Sequence, residues 1–182
     1  ITSSTFSENT ADDDGGAVYA SGGAIVSNSA FSMNSVDRRG GAIFSDSGDT
    51  EISGSTFSEN SARDGGAIYA WSDPSLEISN SSFFENSAVY DGGAVYGEGK
   101  LAVSGSTFFN NSAIYGGALY ADWGETVLGT VDVANSTFVQ NRAIGTEDDP
   151  GAEGGAIYAF NGEVLFSTFV NNTASTPPDE PG

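Results

Sequence analysis

Apolar and polar positions along this chain repeat with a long, nearly constant period. A phenylalanine followed three residues later by an asparagine recurs seven times: Phe6/Asn9, Phe31/Asn34, Phe57/Asn60, Phe83/Asn86, Phe108/Asn111, Phe138/Asn141 and Phe169/Asn172. The phenylalanines are 25, 26, 26, 25, 30 and 31 residues apart. Five positions before each stands Ile or Val (Ile1, Val26, Ile52, Ile78, Val103, Val133, Val164), and two before stands Ser (Ser4, Ser29, Ser55, Ser81, Ser106, Ser136, Ser167). After every Asn but the last comes Gly-Gly-Ala, an aliphatic and an aromatic, starting at Gly15, Gly40, Gly65, Gly92, Gly116 and Gly154. A further Gly-Gly-Ala-Ile at Gly22 is out of phase and is set aside.

Each unit therefore holds three short apolar stretches between Gly, Ser, Asn and Asp corners. None is long enough for a helix, and β-branched and aromatic residues dominate, so the stretches read as strands. Phe and the Ser two before it share one strand face, because side chains alternate with period two. The Ile/Val five before is out of phase with them, so it reaches the same interior only if the chain bends between. Pairs such as Ser53-Gly54 and Ser79-Asn80 accept that bend. The pattern predicts an all-β fold, a single-stranded parallel β-helix of three strands per coil and about six to seven coils over 1–174, with a polar Pro-rich tail over 175–182. Stacked roughly 4.8 Å apart, the coils make a rod about 30 Å long. Phe, the aliphatic after Gly-Gly-Ala, and the Ile/Val before Phe should form three internal columns.

The alternation of GGAV, GGAI and GGAL with FSEN, FSMN, FFEN, FFNN, FVQN and FVNN resembles the repeats of chlamydial polymorphic outer-membrane proteins. It is also similar to right-handed β-helix repeats of other bacterial surface proteins. The resemblance covers 1–174 and implies a right-handed coil. It further implies an autotransporter passenger: an extracellular, adhesive solenoid tethered by an outer-membrane barrel. The barrel is not in this sequence, and neither are the cysteines that chlamydial members often carry. The chain reads as a segment of a longer solenoid.

Charge narrows the partners. Lys plus Arg total 5 against 25 Asp plus Glu, a formal charge of -20. A phosphate backbone is repelled, so neither nucleic acid nor direct membrane insertion is expected. The chain has no Cys and no His, which removes thiol nucleophiles and the commonest general base. Five scattered basic residues do not furnish lyase chemistry on acidic sugars. A non-catalytic protein is expected; a two-carboxylate, carbohydrate-acting β-helix enzyme is the least favoured reading.

Asn9, Asn34, Asn60, Asn86, Asn111, Asn141 and Asn172 are read as an internal amide ladder, since buried polar groups must be paired. The Gly-Gly pairs lack the Lys-Ser/Thr of a phosphate loop and are read as corner residues. The aromatic column Tyr19, Phe44, Tyr69, Tyr96, Tyr120, Tyr158 follows the inward aliphatic, so it is expected to face outward. It is read first as cross-coil stacking and second as a contact stripe for a glycan or protein, extended by Trp71 and Trp123. Insertions at 121–130 and 144–153 break the repeat, and the second carries Glu147, Asp148 and Asp149 as possible contact residues. The acidic corners, Asp12 to Asp14, Asp46 with Asp49 and Glu51, and Glu147 to Asp149 with Glu153, are read as solvated charge runs. No cofactor is expected, Ca²⁺ at these corners being the alternative. Asn80, Asn110, Asn135 and Asn171 lie in Asn-x-Ser/Thr sequons. A Thr row (Thr5, Thr56, Thr107, Thr137, Thr168), interrupted by Ala30 and Ser82, would suit ice only with independent support.

The functional expectation is an adhesin-like segment on the cell surface or outside the cell, meeting a protein or glycan of a surface or matrix. The alternative is a structural spacer or filament element that associates end to end.

Overall fold

The computed structural model describes residues 1–71, 75–122 and 129–176. They form an all-β parallel solenoid in which every strand pairs only with its counterparts in the adjoining coils. One coil runs Thr50–Ser53, Thr56–Ser58, Ser61–Asp64 and Ile68–Ala70. These belong to four sheets, here called the Val, Phe, Asn and Gly-Gly sheets; the Phe and Asn sheets have seven strands each and the other two have six.

Four strands per coil corrects the expectation of three. The extra strand is the short one after each Asn, as at Ser35–Val36 and Ser112–Ala113. It is small and polar, so a search for apolar stretches passes over it. A sharp corner separates it from the Phe strand, held by a residue at positive φ one before each Asn: Glu8, Met33, Glu59, Glu85, Asn110, Gln140 and Asn171. A second positive-φ column lies three residues before Phe, where Gly or Asn recurs in the middle coils (Asn28, Gly54, Asn80, Gly105, Asn135) because they accept left-handed backbone. The first Gly of each Gly-Gly-Ala is the third such column, at φ 62–68°. The out-of-phase Gly22-Gly23 sits elsewhere, at the corner leading into Ile25–Ser27.

Inside, like lies over like. The seven Phe rings form one unbroken stack, with centroids 4.7–4.8 Å apart and planes within 3–4°. Ile43, Ile68, Val95 and Leu119 stack on one another from the Gly-Gly sheet, and Val26, Ile52, Ile78, Val103 and Val133 do so from the Val sheet. All are fully or almost fully buried.

Two polar ladders run beside the Phe stack. Each Asn Oδ1 accepts from the backbone N–H and the Nδ2 of the Asn one coil before, at 3.0–3.1 and 2.8–3.0 Å. The other Nδ2 proton goes to the carbonyl of the preceding coil's Phe, as from Asn86 to Phe57 at 3.1 Å. Both donors and both acceptor sites of the amide are thus used, which is what a group with no solvent access requires. The Ser two before Phe does likewise. Its hydroxyl donates to the carbonyl two residues back and accepts the N–H of the Ser in the previous coil, as Ser81 does from Ser55 at 3.1 Å.

Two predictions follow from this packing. Asn86→Ala strands the N–H and one Nδ2 proton of Asn60 and removes the side-chain bond to the Phe57 carbonyl. Urea denaturation should show a loss of about 1–3 kcal/mol for each group left unpaired. The second Gly of each pair lies where backbone passes backbone. A Cβ on Gly93 would land on the Gly117 carbonyl and 2.6 Å from Ser112, whereas one on Gly22 meets nothing within 4 Å. Gly93→Ala should abolish cooperative folding and Gly22→Ala should leave the melting temperature nearly unchanged, as circular dichroism would register.

Candidate functional site

The aromatic column lies outside the coil, as its phase requires, but it is not solvent-facing throughout. Phe44, Tyr69 and Tyr96 are only 1%, 4% and 6% exposed, while Tyr19 is 55% exposed and Tyr120 and Tyr158 are half-buried. The rings stack coil on coil, from Tyr69 on Tyr96 at 4.2 Å to Tyr120 on Tyr158 at 5.0 Å. Tyr69 donates to Glu98 and Tyr96 to Asp122, the two acids that end neighbouring Gly-Gly strands. Burial and these carboxylates raise the Tyr69 and Tyr96 phenols well above the ordinary range, so both stay protonated donors.

Beside the rings runs a column that no repeated residue type marks, and its Arg39 covers three of them. The residue before each Gly-Gly pair is in register from coil to coil: Asp14, Arg39, Asp64, Asp91, Tyr115 and Glu153. Its position is constant but its type is not, so no motif marks it. Arg39 grips Asp14 with two hydrogen bonds of 2.9 and 3.0 Å. Its guanidinium lies 4.8 Å from the Phe44 ring centre, 5.5 Å from Tyr69 and 4.1 Å from Trp71. Trp71 itself is 39% exposed and packs beside Tyr69. Trp123 lies outside the described residues.

Two coils on, Asp64 and Asp91 face each other directly. Burial, then the charges of Asp64 and Asp122, push the Asp91 carboxyl up to about 7, with Arg63 opposing and Asp149 adding to the rise. Burial also raises Asp64, against the pull of Arg63, Arg39 and Arg38.

In the 144–153 insertion, Glu147 and Asp148 are exposed, whereas Asp149 is tied down. Asp149 accepts from the Tyr115 hydroxyl at 3.0 and 3.1 Å and receives Gly151 N–H, and its own N–H donates to Thr146 Oγ1. The other acidic corners disperse in the same way: Asp14 pairs with Arg39, and Asp49 accepts from Ser75. Among the described residues no group of three or more His, Cys, Asp or Glu is placed to hold a metal ion. The four sequons have a conformational origin. Asn80, Asn110, Asn135 and Asn171 are positive-φ corner residues, each followed by an inward ladder residue and an outward strand Ser or Thr.

A groove of about 360 Å³ runs along the outer face of the Val sheet. Glu51, Glu77, Ala102, Asp132 and Glu163 lie in one register along it. Lys100 reaches Asp132 at 3.9 Å, with both side chains about half exposed, which contributes little to stability. Chemically this is an acidic trough with one cation.

The family profile described as "Right handed beta helix region" matches residues 1–175. No curated protein matches the chain. No solved structure matches it either.

The Asp64–Asp91 contact sets a pH dependence. The folded Asp91 carboxyl, at about 7, holds its proton more tightly than the unfolded one at 3.8. Its stabilising contribution is therefore complete below about pH 4 and lost as pH rises through about 7. The melting temperature should rise as pH falls from 8 to 5, and Asp91→Asn should flatten that slope and raise the pH 8 value.

Proposed function

Since the chain belongs to the right-handed β-helix family, whose members share a coil and not a chemistry, we propose that it is a non-catalytic, surface-presenting solenoid segment of an extracellular or cell-surface protein. Its role is adhesin-like: to hold outward columns in fixed register before a protein or glycan of a cell surface or matrix. The observation that carries this reading is the division of labour between inside and outside. From Phe31 to Asn141 the inward columns repeat apolar, Ser or Asn residues, Thr50 being an exception, while the columns before Gly-Gly and along the Val sheet change character from coil to coil. The absence of His and Cys from the sequence supports the non-catalytic part.

A second reading, a spacer or filament element, is favoured by the unbroken register, in which each coil offers the next the same backbone and ladder partners.

Glycan and matrix-protein arrays, read together with negative-stain microscopy, test both. Dispersed short rods that bind a defined glycan or protein are expected, with binding unaffected by chelator. Regular polymers without array binding would replace the adhesin-like reading by the filament one. Turnover of a polysaccharide, lost on changing Glu77 or Asp132, would overturn the non-catalytic reading.

A further inference from the structure

On a chain of charge -20, one whole face carries no charge. The outward positions of the Phe sheet are the residues on either side of each inward Phe. They are Thr5, Ala30, Thr56, Ser82, Thr107, Thr137 and Thr168 in one column, and Ser7, Ser32, Ser58, Phe84, Phe109, Val139 and Val170 in the other. Not one of these is acidic or basic. The Val sheet, by contrast, carries Glu51, Glu77, Lys100, Asp132 and Glu163.

The same face is regular. Successive rings just beneath the surface lie within 3–4° of each other, and every strand pair keeps its register without a slip. The two corners bordering the face never change length, being five residues from Ile/Val to Phe and three from Phe to Asn in every unit. Both insertions fall elsewhere. Glu8, Glu59 and Glu85 stand at the corner on its Asn side, outside the two columns.

A ligand in solution does not require regularity and neutrality over the length of the rod; a periodic, uncharged solid does. Pairing with a second copy is opposed by size. Seven strands at about 4.8 Å and three residues at about 3.3 Å give roughly 300 Å² per partner, well short of the ~800 Å² of a stable interface. Crystalline polysaccharide fits less well, because only Phe84 and Phe109 offer outward rings for stacking on sugar. Threonine fills five of the seven places in its column. Each presents a methyl beside a hydroxyl, so water ordered around the apolar group can be anchored by the polar one.

We propose that the Phe-sheet face binds ice, the Thr column and the Ser/Phe/Val column together ordering a layer of water that joins the crystal lattice. The contact is made to the solvent itself, so no solute has to be held against dilution and a small area suffices. This goes beyond the surface-presenting role and does not depend on it.

Freezing-point hysteresis and uptake of labelled protein into a slowly growing ice front test the proposal. The chain should be taken up into ice and depress the freezing point. Thr137→Lys, on the face, should lose most of both effects, and Glu77→Lys, on the Val sheet, should keep them, each with melting checked by circular dichroism. Exclusion from ice, or uptake that Thr137→Lys leaves unchanged, overturns the inference. Retention on crystalline cellulose or chitin but not on ice also overturns it and assigns the face to polysaccharide.

Discussion

The structure depends on one constraint: a side-chain amide with no access to water must find partners for two donors and an oxygen. In the Asn ladder they come from the coil above and the coil below. A one-residue slip between coils would turn the amide outward, put another side chain in its place and leave an N–H and a carbonyl bare at every step. Register is therefore fixed more strongly by the polar ladder than by the apolar columns, which tolerate an Ile for a Val or a Leu. The constancy of the spacing from Phe to Asn, three residues in all seven units, is the sequence trace of that constraint.

Fixing the interior leaves the outside free to vary, and the outward columns do so in different ways. The column before Gly-Gly carries Asp14, Arg39, Asp64, Asp91, Tyr115 and Glu153, opposite charges at one end and like charges in the middle. Where Arg39 is present it neutralises Asp14 and covers three aromatic rings. Where it is replaced by a second acid, the carboxyl of Asp91 retains its proton to near neutral pH. The same backbone thus holds a closed patch and a pH-responsive one two coils apart. The difference lies in a position whose residue type the fold does not dictate.

That difference also explains what could be read from the sequence. The Phe stack, the Asn ladder and the inward aliphatics all repeat residue type at a fixed phase, so they were legible. The fourth strand of each coil was not, because Ser35-Val36 or Ser112-Ala113 carries no apolar stretch and is defined by the corner before it. The outward direction of the aromatic column followed from alternation. Its burial at Tyr69 did not, since the covering Arg39 comes from the previous coil. Nor did the column that holds Arg39, whose members share only a place before Gly-Gly. Periodicity reports what every coil needs and says little about what one coil adds.

The variable lengths are ordered in the same manner. The insertions at 121–130 and 144–153 flank the Gly-Gly sheet, one on each side, while the corners bordering the Phe sheet are invariant in length. The reason is mechanical. Both of those corners are closed by ladder residues, Ser on one side of the Phe and Asn on the other, whose bonds to the next coil would be broken by a single extra residue. Among the described residues the Gly-Gly sheet has no ladder of that kind at its far edges, so its corners can lengthen without breaking one. The rod is consequently two-sided: irregular and charged where loops are tolerated, regular and neutral where they are not. The regularity of the outer Phe-sheet face is thus a direct consequence of the hydrogen bonding inside it.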